Sequence, residues 1–197
     1  MRPCVPATTL ACVLCVLCVL VSCTGAKPGW NPLALDAISE PHKLQMQKAQ
    51  TARDALAKEL LATLTQEIAA KGPAGAIAVC REAAPHLAIA VSTREGVQIA
   101  RTSDRLRNPG NVAPEWAAGA LQKKPEQPTY LQGPEGQLGA LFPIRIQENC
   151  LACHGAANAI APEVKAQLAA LYTGDSATGY AVGDLRGWFW VEVPARR

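Results

Sequence analysis

Residues 44–70 read LQMQKAQTARDALAKELLATLTQEIAA, a run of strong helix formers with Leu56, Leu60, Leu64 and Ile68 at four-residue steps. The spacing predicts one long amphipathic helix over 43–71. Gly72-Pro73 should stop it, since glycine leaves helical dihedrals easily and proline brings no amide hydrogen. A second, shorter helix is expected over 74–84, carrying Cys80 and ended or kinked by Pro85, with a third helical piece to about Val91. Beyond Gly96 the pattern changes to β-formers parted by turn residues, which makes 97–102, 129–131, 137–146 and 187–193 strand candidates. Short helices are expected at 114–123, with Pro114 in the first turn, and at 161–172. Helices gathered first and strands later predict an α+β domain with one antiparallel sheet and flanking helices.

The chemistry is concentrated in Cys150-Leu151-Ala152-Cys153-His154. C-x-x-C-H is the arrangement that attaches a c-type haem: each thiol adds to one vinyl group of the porphyrin, and the adjacent imidazole reaches the iron as an axial ligand. Two other chemistries use a C-x-x-C pair. A dithiol redox motif should close a strand and open a helix in a βαβ pattern, and none brackets this one. Zinc needs four ligands, which Cys80, Cys150, Cys153 and a histidine could supply. A plain disulfide is the third alternative. The reading taken forward is one covalent haem c.

Export is the condition for that chemistry, and the N-terminus supplies it with Arg2, an apolar stretch from Leu10 to Val21, and then Ser22-Cys23. The apolar run falls short of the roughly 20 residues that cross a bilayer. Leu20-Val21-Ser22-Cys23 resembles a bacterial lipobox, so Cys23 is expected to carry lipid and residues 1–22 to be a lipoprotein signal peptide; an uncleaved signal anchor is the other reading. Residues 23–42, with Pro28, Gly29, Pro32 and Pro41, read as a tether, and 43–197 as one domain. The expected location is the periplasm or bacterial envelope, on a lipid anchor. Of the 8 cysteines, Cys80, Cys150 and Cys153 then remain in the mature chain beyond the lipidated one. The formal net charge of +3 is spread along the chain, which gives no sign of nucleic-acid binding.

With His154 on one side of the iron, the residues alone leave the other side to Cys80, His86, His42, Met46, water or nothing. Cys80 sits among Ile77, Ala78, Val79 and Ala83, where an inert buried cysteine is the ordinary expectation. His86 and His42 read as solvated, and Met46 as core packing. Haem propionates want arginine donors, for which Arg101, Arg105 and Arg107 are candidates, and Arg145 is another. Asp175 and Asp184, beside glycines, read as turn residues. Trp188 and Trp190 alternate in the last strand and should share one face.

Several stretches together resemble the PAS-like c-type haem-binding domain family, found alone and in bacterial sensor proteins. They are 78–85 (AVCREAAP), 101–109 (RTSDRLRNP), 113–116 (APEW), Pro143-Ile144 ahead of the haem motif, 174–180 (GDSATGY) and 183–187 (GDLRG). The resemblance covers most of 43–197 and implies a PAS-like antiparallel sheet with flanking helices and a long N-terminal helix. It also implies a cysteine thiolate as the second axial ligand, at Cys80, and a role as a haem redox or gas sensor. Implied partners are the membrane, through the anchor, an unidentified redox or signalling protein, and a small gas ligand. A small periplasmic electron-transfer cytochrome is the alternative; it would keep both axial ligands through the redox cycle, whereas a sensor must change ligation or shape. An enzyme is not expected, since a peroxidase needs distal acid-base groups and only His86 and His42 are at hand.

Overall fold

The computed structural model describes residues 29–34 and 38–195. The signal-peptide and lipidation readings, Cys23 included, lie outside the described residues. A helix α1 (Glu40–Glu95) opens the fold after a two-residue strand β1 (Asn31–Pro32), and leads to β2 (Gln98–Thr102). A single 3-10 turn runs into α2 (Ala118–Leu121), followed by strands β3 (Thr129–Gln132) and β4 (Leu138–Arg145). A second such turn, Glu148–Cys150, runs into α3 (Leu151–His154), and α4 (Pro162–Leu171) and β5 (Leu185–Val193) complete the chain. The strands form one antiparallel five-stranded sheet in the order β1-β3-β4-β5-β2. The fold is α+β and PAS-like, as expected.

Helix α1 begins at Ser39, whose hydroxyl accepts the His42 amide, and ends at Gly96 in the left-handed conformation. Gly72, at φ 71° and ψ 172°, breaks it into two arms, 40–71 and 73–95. Few residues other than glycine adopt that conformation. The second arm folds back on the first: Arg94 Nη2 lies 2.8 Å from Glu59 Oε1, although 35 residues of straight helix would part them by about 50 Å. Pro85, expected to end or kink the helix, lies inside the second arm, which keeps helical dihedrals through it. Pro85 and Arg81 are both exposed, so water can reach the carbonyl that the missing amide leaves without a donor.

The period-2 alternation of the strands sorts their side chains cleanly between two faces. Leu138, Ala140 and Phe142 of β4 and Phe189, Val191 and Val193 of β5 face α1, where Ala49, Ala52, Leu56 and Val91 close the main core. Trp188 and Trp190 share the other face, as expected, with Leu141, Ala117 and Trp116 beneath α2. Gly139 makes room there: a Cβ on it would lie 2.7 Å from the Trp116 ring and 2.9 Å from Trp30.

Those two rings stack at 4.9 Å, and Leu33 N–H donates to Tyr130 O. Residues 30–33, placed in the tether by the sequence, are thus part of the sheet, with Asn31–Pro32 as its edge. Proline suits an edge strand, where its missing amide costs no ladder bond. Val164 and Leu168 of α4, with the flanking Ile160 and Tyr172, pack against Ile77 of the second arm.

Candidate functional site

A cavity of about 260 Å³ opens between the two arms of α1, the end of β2, α3 and the bulged start of β5. Its apolar wall includes Leu64 and Ile68 from the first arm and Ile77 and Ala84 from the second. Into the same cavity face Cys80, Cys150, Cys153 and His154, together with Arg101, Arg107, Arg145 and Arg186. The structure therefore gathers residues from sequence positions 64 to 187 around one space.

His154 closes α3, and its ring is fixed by the backbone of a later loop. Nδ1 lies 2.7 Å from Ala177 O. A carbonyl can only accept, so Nδ1 carries the proton and Nε2 keeps its lone pair. Burial pushes the imidazole pKa down to about 3, and Arg107 and Arg186 push the same way, against the bond to Ala177. The ring is therefore neutral, the form that binds a metal. Segment 175–180 wraps the motif from outside, with Gly179 N–H donating to Gly155 O at 2.7 Å and Tyr180 N–H to His154 O at 3.0 Å. Tyr180 stands edge-on to the His154 ring at 6.2 Å and is covered by Arg105, whose guanidinium lies 4.3 Å above its centre.

Cys80 is solvent-accessible. That accessible surface belongs to the cavity wall, and burial still raises its thiol pKa, with Arg101 and Arg107 opposing. Burial likewise raises Cys153. All three thiols are free. Among the described residues, no group of three or more His, Cys, Asp or Glu side chains is placed to hold one metal ion. The Cys3His zinc alternative is therefore not assembled.

The candidate arginines divide. Arg101 lies deep in the wall, its pKa lowered by burial, and none of the described residues hydrogen-bonds to its guanidinium. Arg107, expected beside it as an anion donor, is committed to the protein. Its Nε donates to Asp175 Oδ2 at 3.1 Å, and its Nη2 to Cys153 O at 2.6 Å and Ala177 O at 3.2 Å. Arg105 ties to the carbonyls of Ser176 and Thr178. Arg145 donates to Glu126 and Gly183 O near the surface.

Asp175 proves more than a turn residue: Oδ1 accepts Ala177 N–H at 2.8 Å while Oδ2 meets Arg107. Asp184 does serve its own turn, accepting Ala181 N–H at 2.8 Å. His86 is exposed and His42 half-buried, neither lines the cavity, and Met46 packs against the main core.

Arg186 was not singled out in the sequence. A bulge after Ile144 and Gly187 sets it out of register, and its Nη1 donates to Ser103 Oγ at 2.8 Å and Arg105 O at 3.1 Å. Gly187 permits this: a Cβ there would lie 2.2 Å from Thr102 O. The RTSDRLRNP and GDLRG stretches are thus the two sides of one joint, and their unusual glycine and serine were the available signal.

The molecule is a PAS-like domain in which a C-x-x-C-H segment and a separate cysteine share one cavity. It belongs to the Tll0287-like family, which matches residues 31–194. The crystal structure of the cyanobacterial heme-protein Tll0287 is similar, with a TM-score of 0.60 at 25% identity, covering 81% of this chain and 99% of that one. No curated protein matches the chain.

Proposed function

We propose that this chain is an exported, lipid-anchored mono-haem protein that senses redox state or a small gas by exchanging an axial ligand. The haem would be held through Cys150 and Cys153, with His154 and Cys80 as the axial pair. The observation that carries the reading is the donor set on one apolar-walled cavity: two accessible thiols, a neutral imidazole with a free Nε2, and a third thiol from another element. Likeness to a heme-protein supports it. Bound haem supplies a one-electron couple and, where a ligand leaves, a position for a diatomic gas.

The residues of this chain account for the rest. Arg101, with no hydrogen-bond partner among the described residues, suits a propionate. Cys80 as an anionic thiolate favours the ferric state by charge, so reduction weakens its hold. Cys80 lies on the second arm of α1, between the Gly72 break and the turn into β2, so its release would untie the haem from an arm that Ile77 and Val91 keep packed. Ligation from an element separate from the C-x-x-C-H segment supports a sensor over an electron carrier, which gains from fixed ligands.

The test uses the full chain made in a bacterium that matures c-type cytochromes, as wild type and Cys80→Ala. The wild type is expected in the membrane fraction, heavier by one covalent haem, with a low-spin thiolate-type ferric electron paramagnetic resonance signal that Cys80→Ala loses. A chain in the soluble fraction would sink the anchor, and one without added mass the haem. An identical signal in both proteins would make Cys80 structural and leave the electron carrier.

A further inference from the structure

Arg107 and His154 donate to the same oxygen, the carbonyl of Ala177, at 3.2 and 2.7 Å. The arrangement is tightly held. Asp175 grips Arg107 with one carboxylate oxygen and the Ala177 amide with the other, so the residue carrying the shared carbonyl is fixed at its nitrogen as well. The side chains of Arg107 and Asp175 are each only 12% exposed, and water does little to screen them. Arg107 also donates to Cys153 O, which fixes it to the residue before the histidine.

A carbonyl alone, accepting the Nδ1 proton, pulls it away from the ring and makes the imidazole a stronger donor to whatever Nε2 binds. A cationic donor on the same oxygen draws electron density from it and makes it a poorer acceptor. We propose that Arg107 is a positioning residue that, through the shared Ala177 carbonyl, keeps the proton on His154 and weakens this histidine as an iron ligand, raising the reduction potential. Asp175 sets the strength of that effect by partly neutralising Arg107. The device opposes the charge of the Cys80 thiolate, which acts from another element and lowers the potential. Two ligands of opposite tendency leave the potential responsive to the loss of either.

This inference rests on the haem reading above, and its test separates the two. Potentiometric titration, in which mediators deliver one electron per iron, compares holoprotein with Arg107→Gln, Arg107→Lys and Asp175→Asn. Arg107→Gln is expected to lower the potential, Arg107→Lys to recover most of the loss, and Asp175→Asn to raise it. A second readout isolates the carbonyl route: in reduced Cys80→Ala protein under carbon monoxide, adding Arg107→Gln should move the C–O stretch to lower frequency, because the stronger imidazole donor enriches the iron. A fall in potential with an unmoved C–O stretch would overturn the proposal, since charge alone would then account for it. Unchanged potentials in haem-bearing variants would overturn it too. Should Arg107→Gln fail to retain haem, Asp175→Asn in reduced Cys80→Ala protein under carbon monoxide decides: a C–O stretch moved to higher frequency supports the proposal and an unmoved one defeats it. A wild type that never takes haem defeats the functional reading instead.

Discussion

The two arms of α1 are one helix in sequence order and two devices in the structure. The first arm presses Ala49, Ala52 and Leu56, all essentially buried, onto the sheet. The second buries Val91 in that same core at its far end, but its near half turns Ile77 toward α4 and Cys80 toward the cavity. The first arm therefore stabilises, and the second brings Cys80 to the cavity. The contrast teaches why the helix is broken: a straight helix on the sheet could not also cover a cavity beside it. Gly72 lets the chain do both.

The comparison is broken most forcefully at Leu56, which is 1% exposed in the main core. Leu56→Ala should cost about 2–5 kcal/mol in chemical denaturation, from lost burial and the cavity left behind. The ferric spectrum should stay that of the wild type. A spectral change as large as that of Cys80→Ala would show that the arms do not divide the work.

Gly72→Ala should have a smaller and different effect. A Cβ there meets nothing within 4 Å, so the cost is backbone strain alone, about 1–3 kcal/mol. Relief of that strain requires the arms to reorient, which would carry Cys80 with them. Loss of stability and altered ferric ligation are therefore expected together, in contrast to Leu56→Ala. Stability loss with an untouched spectrum would mean that α4, packed on Ile77, alone fixes the second arm.

Much of this division was legible in the sequence, and the failures have physical causes. Leu56 and its four-residue repeats announced the first arm, because burial on one face imposes a period, and β-formers between turn residues at 137–146 and 187–193 announced the central strands, short of Leu185 and Arg186. Gly72 was legible as a break. Pro85 misled because its cost depends on whether water reaches the freed carbonyl, which no local pattern records. β1 was missed because two residues carry no period.

In the site, C-x-x-C-H pointed to its own cavity, and the resemblance carried by 78–85 pointed to Cys80. The pairing of Arg107 with Asp175 spans 68 residues and had no local signal. Asp175 beside a glycine looked like an ordinary turn residue, and it is one, with a second task that only the fold reveals.

The smallest effect is expected where the arms visibly touch. Arg94 reaches Glu59 across the fold, yet the two side chains are 50% and 33% exposed and Arg94 also contacts Glu95. An ion pair so hydrated gains little, because two long side chains must be ordered and salt screens the attraction. What holds the arms together is then Val91 in the core that Leu56 shares, since burial there excludes water altogether. Arg94→Ala should leave the melting temperature at physiological ionic strength indistinguishable from wild type, and the ferric spectrum unmoved. A melting loss approaching that of Leu56→Ala would place the junction at the exposed rim, and the second arm would then be held by charge that salt could loosen.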